Sequence, residues 1–144
     1  MIANFFRLSC TYYAMPGLKG EIWDAADRVA AYLSVLLAVE YDIDAVDRVA
    51  KARKIDDFME GVYNALRRRQ NLEDTLQAKL REASEDEHKR ALEDALAMVR
   101  SLNPSHVEKL RDLDKSSLKL VASYIGSRAL AHTRTSGILA QIFQ

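Results

Sequence analysis

The sequence predicts an all-α fold: one compact helical bundle of about six to seven helices around a central apolar helix, Glu21 to Tyr41. Glycine and proline number only five and two in 144 residues. Both prolines, Pro16 and Pro104, fall between apolar-periodic runs, so they punctuate helices without interrupting them. Apolar residues recur at helical spacing along most of the chain, and no segment alternates like a half-buried strand. The length suits one domain with one core, residues 1–144.

The elements follow in order. Ile2 to Met15 carries Phe5, Phe6, Leu8, Tyr12 and Tyr13 and is compatible with helix or strand; Pro16-Gly17 then breaks the chain. Arg7 interrupts its apolar run, so it reads as part of the fold, and no apolar run reaches the length of a membrane span. From Glu21 to Tyr41, Ile22, Ala26, Val29, Ala30, Leu33, Leu36 and Leu37 recur at helical spacing, while Trp23, Ala25, Tyr32, Val35 and Val39 fill most other positions. A helix apolar on nearly all sides is buried on nearly all sides, which makes this the expected centre. Glu21, Asp24 and Asp27 sit in its first turns, where the helix dipole favours them over a role as cation ligands.

Asp44 is expected to cap a short helix, Ala45 to Lys54. Asp57, with Glu60 three residues on, is expected to cap the next, whose stripe is Phe58, Val62, Tyr63 and Leu66. Asn71 offers a cap before Leu72, Leu76 and Leu80. Ser84 and Glu87 have capping-box form and split the long polar helix, after which Leu92, Ala95, Leu96, Val99 and Leu102 make an amphipathic face. Asn103-Pro104-Ser105 is the clearest turn, and Ser105 with Glu108 again has capping-box form. Asp114 is expected to cap the last long helix, through about His132. Gly137 precedes a short apolar tail, Ile138 to Phe143.

Net charge is zero, yet the charges are grouped. Residues 1–47 hold three basic and seven acidic side chains, 48–69 seven and three, 70–98 four and eight, and 99–144 seven and three. A zero total can therefore hide two basic surfaces. Arg48, Lys51 and Lys54 follow helical spacing opposite Val46, Val49 and Ala50, and Arg67-Arg68-Arg69 closes the following helix. Lys115, Lys119, Ser123 and Gly126 share a face of the last helix, with Arg128, His132 and Arg134 beyond. Cations and hydroxyls together suit phosphate oxygens. The expected nucleic-acid-binding residues are Arg48, Lys51, Lys54, Arg67, Arg68, Arg69, Lys115, Lys119, Arg128 and Arg134. The same charges have a structural reading. Asp44 with Arg48 and Asp47 with Lys51 are i,i+4 pairs in the favourable order, and a basic triplet suits a helix C-terminus. Arg128 and His132, one turn apart beneath Leu118, Val121 and Ile125, suit a structural or interface role better than catalysis.

No catalytic site, metal or cofactor is expected. His88, His106 and His132 lack metal-ligand spacing, and there is no Gly-rich phosphate loop or nucleophile elbow. Cys10 is the only cysteine and has no adjacent His or Lys; it allows no internal disulfide and fits a reducing cytoplasm. Two Arg–His spacings are enzyme-like: Arg100 to His106, comparable to small helical ribonucleases, although Asn103-Pro104 breaks the helix between them, and the alternative Arg128 with His132, one turn apart.

The run Ala31-Tyr32-Leu33-Ser34-Val35-Leu36-Leu37-Ala38-Val39-Glu40-Tyr41, followed by Ile43 to Ala52, resembles the small subunit of archaeal type I-A CRISPR surveillance complexes. In that family an apolar helix leads into a tyrosine and then an Asp-Arg-Ile-Ala-Asn-Ala stretch. The corresponding run is Asp47-Arg48-Val49-Ala50-Lys51-Ala52, with Val49 for the isoleucine and Lys51 for the asparagine. The likeness spans residues 30–66 and leaves the last helix uncovered. It implies a non-catalytic, cytoplasmic subunit of an antiviral-defence complex. Such a subunit contacts the guide RNA and/or target DNA backbone, packs against other effector-complex subunits and can self-associate. The rival expectations are a helical protein–protein adaptor and a small helical ribonuclease using Arg100 and His106.

Overall fold

The computed structural model describes residues 18–135 and 137–144, the side chains of 133–135 excepted. The described residues form helices α1 (Gly20–Glu40), α2 (Ile43–Ala50), α3 (Ile55–Leu66), α4 (Arg69–Glu82), α5 (Asp86–Ser101), α6 (Pro104–Glu108), α7 (Lys115–Thr135) and α8 (Gly137–Ile142), with no strand among them. The all-α bundle is as expected. The choice between helix and strand for residues 2–15, and the Arg134 side chain, lie outside the described residues.

Helix α1 is the centre, as its all-round apolar sequence predicts. Trp23, Ala26, Val29, Ala30, Tyr32, Leu33 and Leu36 are buried on several sides at once. Its longest neighbour is α7, and α5 covers a further face. The Tyr32 hydroxyl donates to the Ala65 carbonyl, tying α1 to α3, and burial pushes that phenol up to about 12. The helix ends one residue earlier than the sequence suggests. Tyr41 takes a left-handed conformation (φ 56°), and its N–H donates to the Leu37 carbonyl at 2.9 Å. That is a C-terminal turn that glycine usually makes.

The turn at Tyr41 moves the next cap. Asp42, not Asp44, accepts from the Ala45 N–H at 3.0 Å and starts α2. Helix α2 stops at Ala50 instead of Lys54, so Lys51 is its C-cap and Lys54 the N-cap of α3. Asp57 is not a cap either; with Asp56 it lies inside the first turn of α3 and complements the dipole there. Arg67 closes α3, and α4 opens at Arg69, ahead of Asn71. The break near Ser84 is as expected, but Glu85 is the N-cap of α5 and makes no side-chain cap bond.

The Asn103-Pro104 turn is a true cap with different members from those expected. The Asn103 side chain accepts from the Ser105 N–H at 3.2 Å, and His106 Nδ1 accepts from the Asn103 N–H at 3.3 Å. Ser105 and Glu108 are not the pair. Replacing Asn103 with alanine should cost about 1 kcal/mol, the usual worth of a cap. A urea midpoint unchanged in Asn103→Ala would contradict this assignment.

Helices α2 and α7 cross at very close range. A Cβ at Gly126 would lie 2.6 Å from Ala50 Cβ, so only glycine permits this approach. Val46 and Val49 then bury against the bundle. On α7, Asp114 caps as expected, accepting from the Ser117 N–H at 2.7 Å, and Leu118, Val121, Ala122, Ile125 and Ala129 face the core.

Candidate phosphate-binding groove

The crossing of α2 and α7 brings two basic stretches of sequence together. An open groove of about 920 Å³ is lined on one wall by Ala50, Lys51, Ala52, Arg53, Lys54 and Ile55. The other wall consists of Leu113, Lys115, Leu118, Lys119 and Ser123. Five lining residues are cationic and none is acidic. The floor is aliphatic. The groove also meets the N-terminal ends of two helices, α3 at Lys54 and α7 at Lys115, whose dipoles Asp56 and Asp57 on α3 and the Asp114 cap on α7 already complement, so the lining cations and not the helix ends carry its positive charge. Lys54 makes no side-chain cap bond on α3.

Four of the five cations, Arg53, Lys54, Lys115 and Lys119, make no ion pair or side-chain hydrogen bond among the described residues. Lys51 reaches Asp47 at 3.6 Å, but both side chains are more than half exposed. Such a helical i,i+4 pair is worth about 0.3–0.5 kcal/mol, so it does not hold Lys51 away from another anion. Several other cations are engaged: Arg28 pairs with Asp24, Arg68 with Glu40 and Asp42, Arg100 with Glu73, and Arg111 with Glu108.

Of the expected site residues, the groove collects Lys51, Lys54, Lys115 and Lys119. It leaves out Arg48 and Arg67, both exposed elsewhere; the Arg48 stem lies against Gly61, and Arg67 donates to the Asn64 side chain at 2.7 Å. Arg53 is the addition that helical spacing missed. The periodicity that selected residues 48, 51 and 54 assumed a helix through Lys54, whereas the chain past Lys51 is irregular and turns Arg53 into the same groove.

Three arginines leave the expected set for structural reasons. Arg68 donates to Asp42 and, at 3.3 Å, to Glu40, so it fastens the end of α1 to the α3–α4 corner. Two nitrogens of Arg69, Nε and Nη2, are buried and inaccessible to a nucleic acid. Arg128 is only 8 % exposed and stands 4.0 Å from Asp27. Asp27 also accepts the Tyr124 hydroxyl hydrogen bond, and burial pushes its carboxyl up despite Tyr124 and Arg128. His132 is half-buried beside this network, and burial, then the Arg128 charge, pushes its imidazole down.

The Arg68 clasp predicts a pH effect. Burial alone would raise the Asp42 carboxyl, but hydrogen bonds from Arg68 and the Ala45 amide, with the charges of Arg68 and Arg48, hold it below the ordinary value of 3.8. A carboxyl lowered on folding contributes stability that is complete above its unfolded value and is lost as pH falls through the folded one. Arg68→Met should therefore lower stability at neutral pH and flatten the loss below pH 3.8. Urea midpoints across the acid range measure it; an acid limb as steep as that of the unmodified chain would overturn it.

Both members of the ribonuclease-like pair have partners of their own. Arg100 pairs with Glu73 at 3.0 Å, and His106 Nδ1 is taken by the Asn103 cap, with burial and then Arg28 lowering its imidazole. Among the described residues no group of His, Cys, Asp or Glu is arranged to hold a metal ion, and no helix is long and apolar enough to cross a membrane. A second cavity, about 720 Å³, opens between α1, α5 and α8, with Val35, Ala95, Met98 and Leu139 inside and Asp86, Glu87, Arg90 and Asp94 around it. Comparison with protein-family models, curated proteins and solved structures gave no match.

Proposed function

We propose that the chain binds the phosphate backbone of a nucleic acid in the groove between the Ala50–Ile55 wall and the N-terminal half of α7. One observation carries this reading: five cations from two distant stretches of sequence converge without a lining carboxylate, and four of them have no counter-charge among the described residues. Four lysines on flexible stems and the Arg53 guanidinium suit the oxygens of successive phosphates, and the described lining residues include no aromatic platform for stacking bases. The resemblance of residues 30–66 to the type I-A CRISPR small subunit supports a narrower role. In that role the chain is a non-catalytic cytoplasmic subunit of an RNA-guided effector complex, steadying guide or target backbone while its apolar surfaces meet neighbouring subunits.

Binding of a fluorescein-labelled oligonucleotide, single-stranded and duplex, across a salt series tests the proposal. Each neutralised phosphate releases counterions, so log affinity should fall linearly with log salt. With few contacts per chain, the isolated protein should bind in the non-specific range, about 10⁻⁴–10⁻⁶ M. Several copies on one strand would bind more tightly through avidity. Salt-independent or absent binding would sink the proposal in favour of a protein–protein adaptor whose basic groove meets an acidic partner.

A further inference from the structure

Beside the groove α7 passes very close to α2, and the residue that permits the approach is a glycine. Gly126 lies on the same face of α7 as Lys115, Lys119 and Ser123, one turn beyond Ser123. At Gly126, α7 meets Ala50, the last residue of α2 and the first residue of the opposite wall. From that contact one wall continues along the chain through Lys51 to Ile55, and the other leads back along α7 through Ser123, Lys119 and Lys115. We infer that Gly126 is the positioning residue of the groove, setting the gap that lets both walls of cations hold one backbone at once. This inference rests on the phosphate-backbone reading.

The physical basis is a distance. A Cβ placed at Gly126 would fall 2.6 Å from Ala50 Cβ, well inside ordinary contact. The obstacle is a methyl group fixed to a helix, not the end of a flexible side chain, so it cannot swing aside. Helix α2 would have to retreat by about an ångström, since packed interiors hold no spare volume to absorb the methyl. The retreat carries the adjoining Lys51, Arg53 and Lys54 away from α7 and opens the aliphatic floor between them. Lysine stems take up part of the change, so the expected loss is one phosphate contact and not the whole site.

The geometry also supplies its own control. Beyond the Ala50 methyl, the next atom facing that added Cβ is Ala50 Cα at 3.7 Å, an ordinary contact. Exchanging the two residues, Ala50→Gly with Gly126→Ala, therefore restores the spacing with the methyl on the other helix. Glycine inside α2 lowers stability somewhat but leaves the wall in place.

The test measures oligothymidylate binding over a salt series for the unmodified chain, Gly126→Ala, and the exchanged pair, with circular dichroism and urea unfolding of each. Gly126→Ala should weaken binding several-fold and reduce the salt slope by about 0.7, the share of one phosphate on a single strand. The exchanged pair should recover the slope even if its stability stays below that of the unmodified chain. A purely structural role predicts that binding follows the folded fraction with no change of slope. An unchanged slope in folded Gly126→Ala overturns the inference, as does a folded exchanged pair that fails to recover it. If Gly126→Ala does not fold, α2 cannot retreat to a wider gap as argued, and the inference is overturned. Loss of salt-dependent binding in the unmodified chain would instead reject the phosphate-backbone reading itself.

Discussion

Reversing Lys51, Lys115 and Lys119 to glutamate should push oligonucleotide binding beyond the weak end of the non-specific range, about 10⁻⁴ M. Each lost lysine contact removes about 0.7–1 from the salt slope, so the slope should fall by about 2–3. The loss should be the same for every sequence, because contacts to phosphate carry no base information. The fold should be indifferent to the change: all three side chains are exposed, and among the described residues only Lys51 has a partner, the solvated Asp47. Arg111→Glu provides the comparison. It alters the chain by the same charge per residue, but Arg111 lies outside the groove beside Glu108 and Tyr63. If Arg111→Glu weakens binding as much per residue as the lysine reversals, net charge and not the groove governs the interaction.

The fold was legible in the sequence wherever the signal was local and repeated. Helix α1 shows this most clearly: apolar residues around its whole circumference leave burial as the only stable arrangement, and Leu33 and Leu36 are indeed fully enclosed. Single capping residues were less legible. Asp42 and Asp44 are equally able to cap α2, and the choice falls to Asp42 because Tyr41 enters a left-handed turn, a conformation that nothing in its own side chain announces. The same holds for Asn103 against Ser105, where the winning cap is the one whose partner, His106, can reach back to its backbone.

The candidate site divided along a similar line. Which lysines are basic was plain; which of them face each other depends on the Gly126–Ala50 crossing, a contact between residues far apart in sequence. Arg68 and Arg128 were expected on a phosphate face because their carboxylate partners are distant too. Asp42 lies 26 residues from Arg68, and Asp27 is on another helix from Arg128. A cation within a basic stretch joins a binding surface only if no acid from elsewhere claims it first, and that test is three-dimensional.

Trp23→Ala should be among the most destabilising single substitutions, at about 3–5 kcal/mol, the range for deleting a large aromatic from a close-packed core. Trp23 is 0 % exposed in the first turns of α1, where the central helix meets α7. Its ring packs edge-on against Tyr124, with centroids 5.0 Å apart and planes at 76°. Such a pair contributes about 0.5–1.5 kcal/mol beyond area burial. The indole also supports a polar network, because the Tyr124 hydroxyl donates to Asp27, and Asp27 stands beside buried Arg128. Removing the indole leaves a void beside a ring that positions a buried carboxylate, so the cavity cost and the loosened hydrogen bond act together. Tyr124→Phe separates the two, since it keeps the ring and removes only the donor to Asp27, and should cost about 1–3 kcal/mol. Domains of this kind are stable by about 5–15 kcal/mol in total, so the tryptophan deletion alone should take a large part of that margin. Urea unfolding of the two variants should show lowered midpoints at an unchanged m-value, the tryptophan variant much the lower. A Trp23→Ala midpoint no lower than that of Tyr124→Phe would mean that the α1–α7 contact is not the centre of the core.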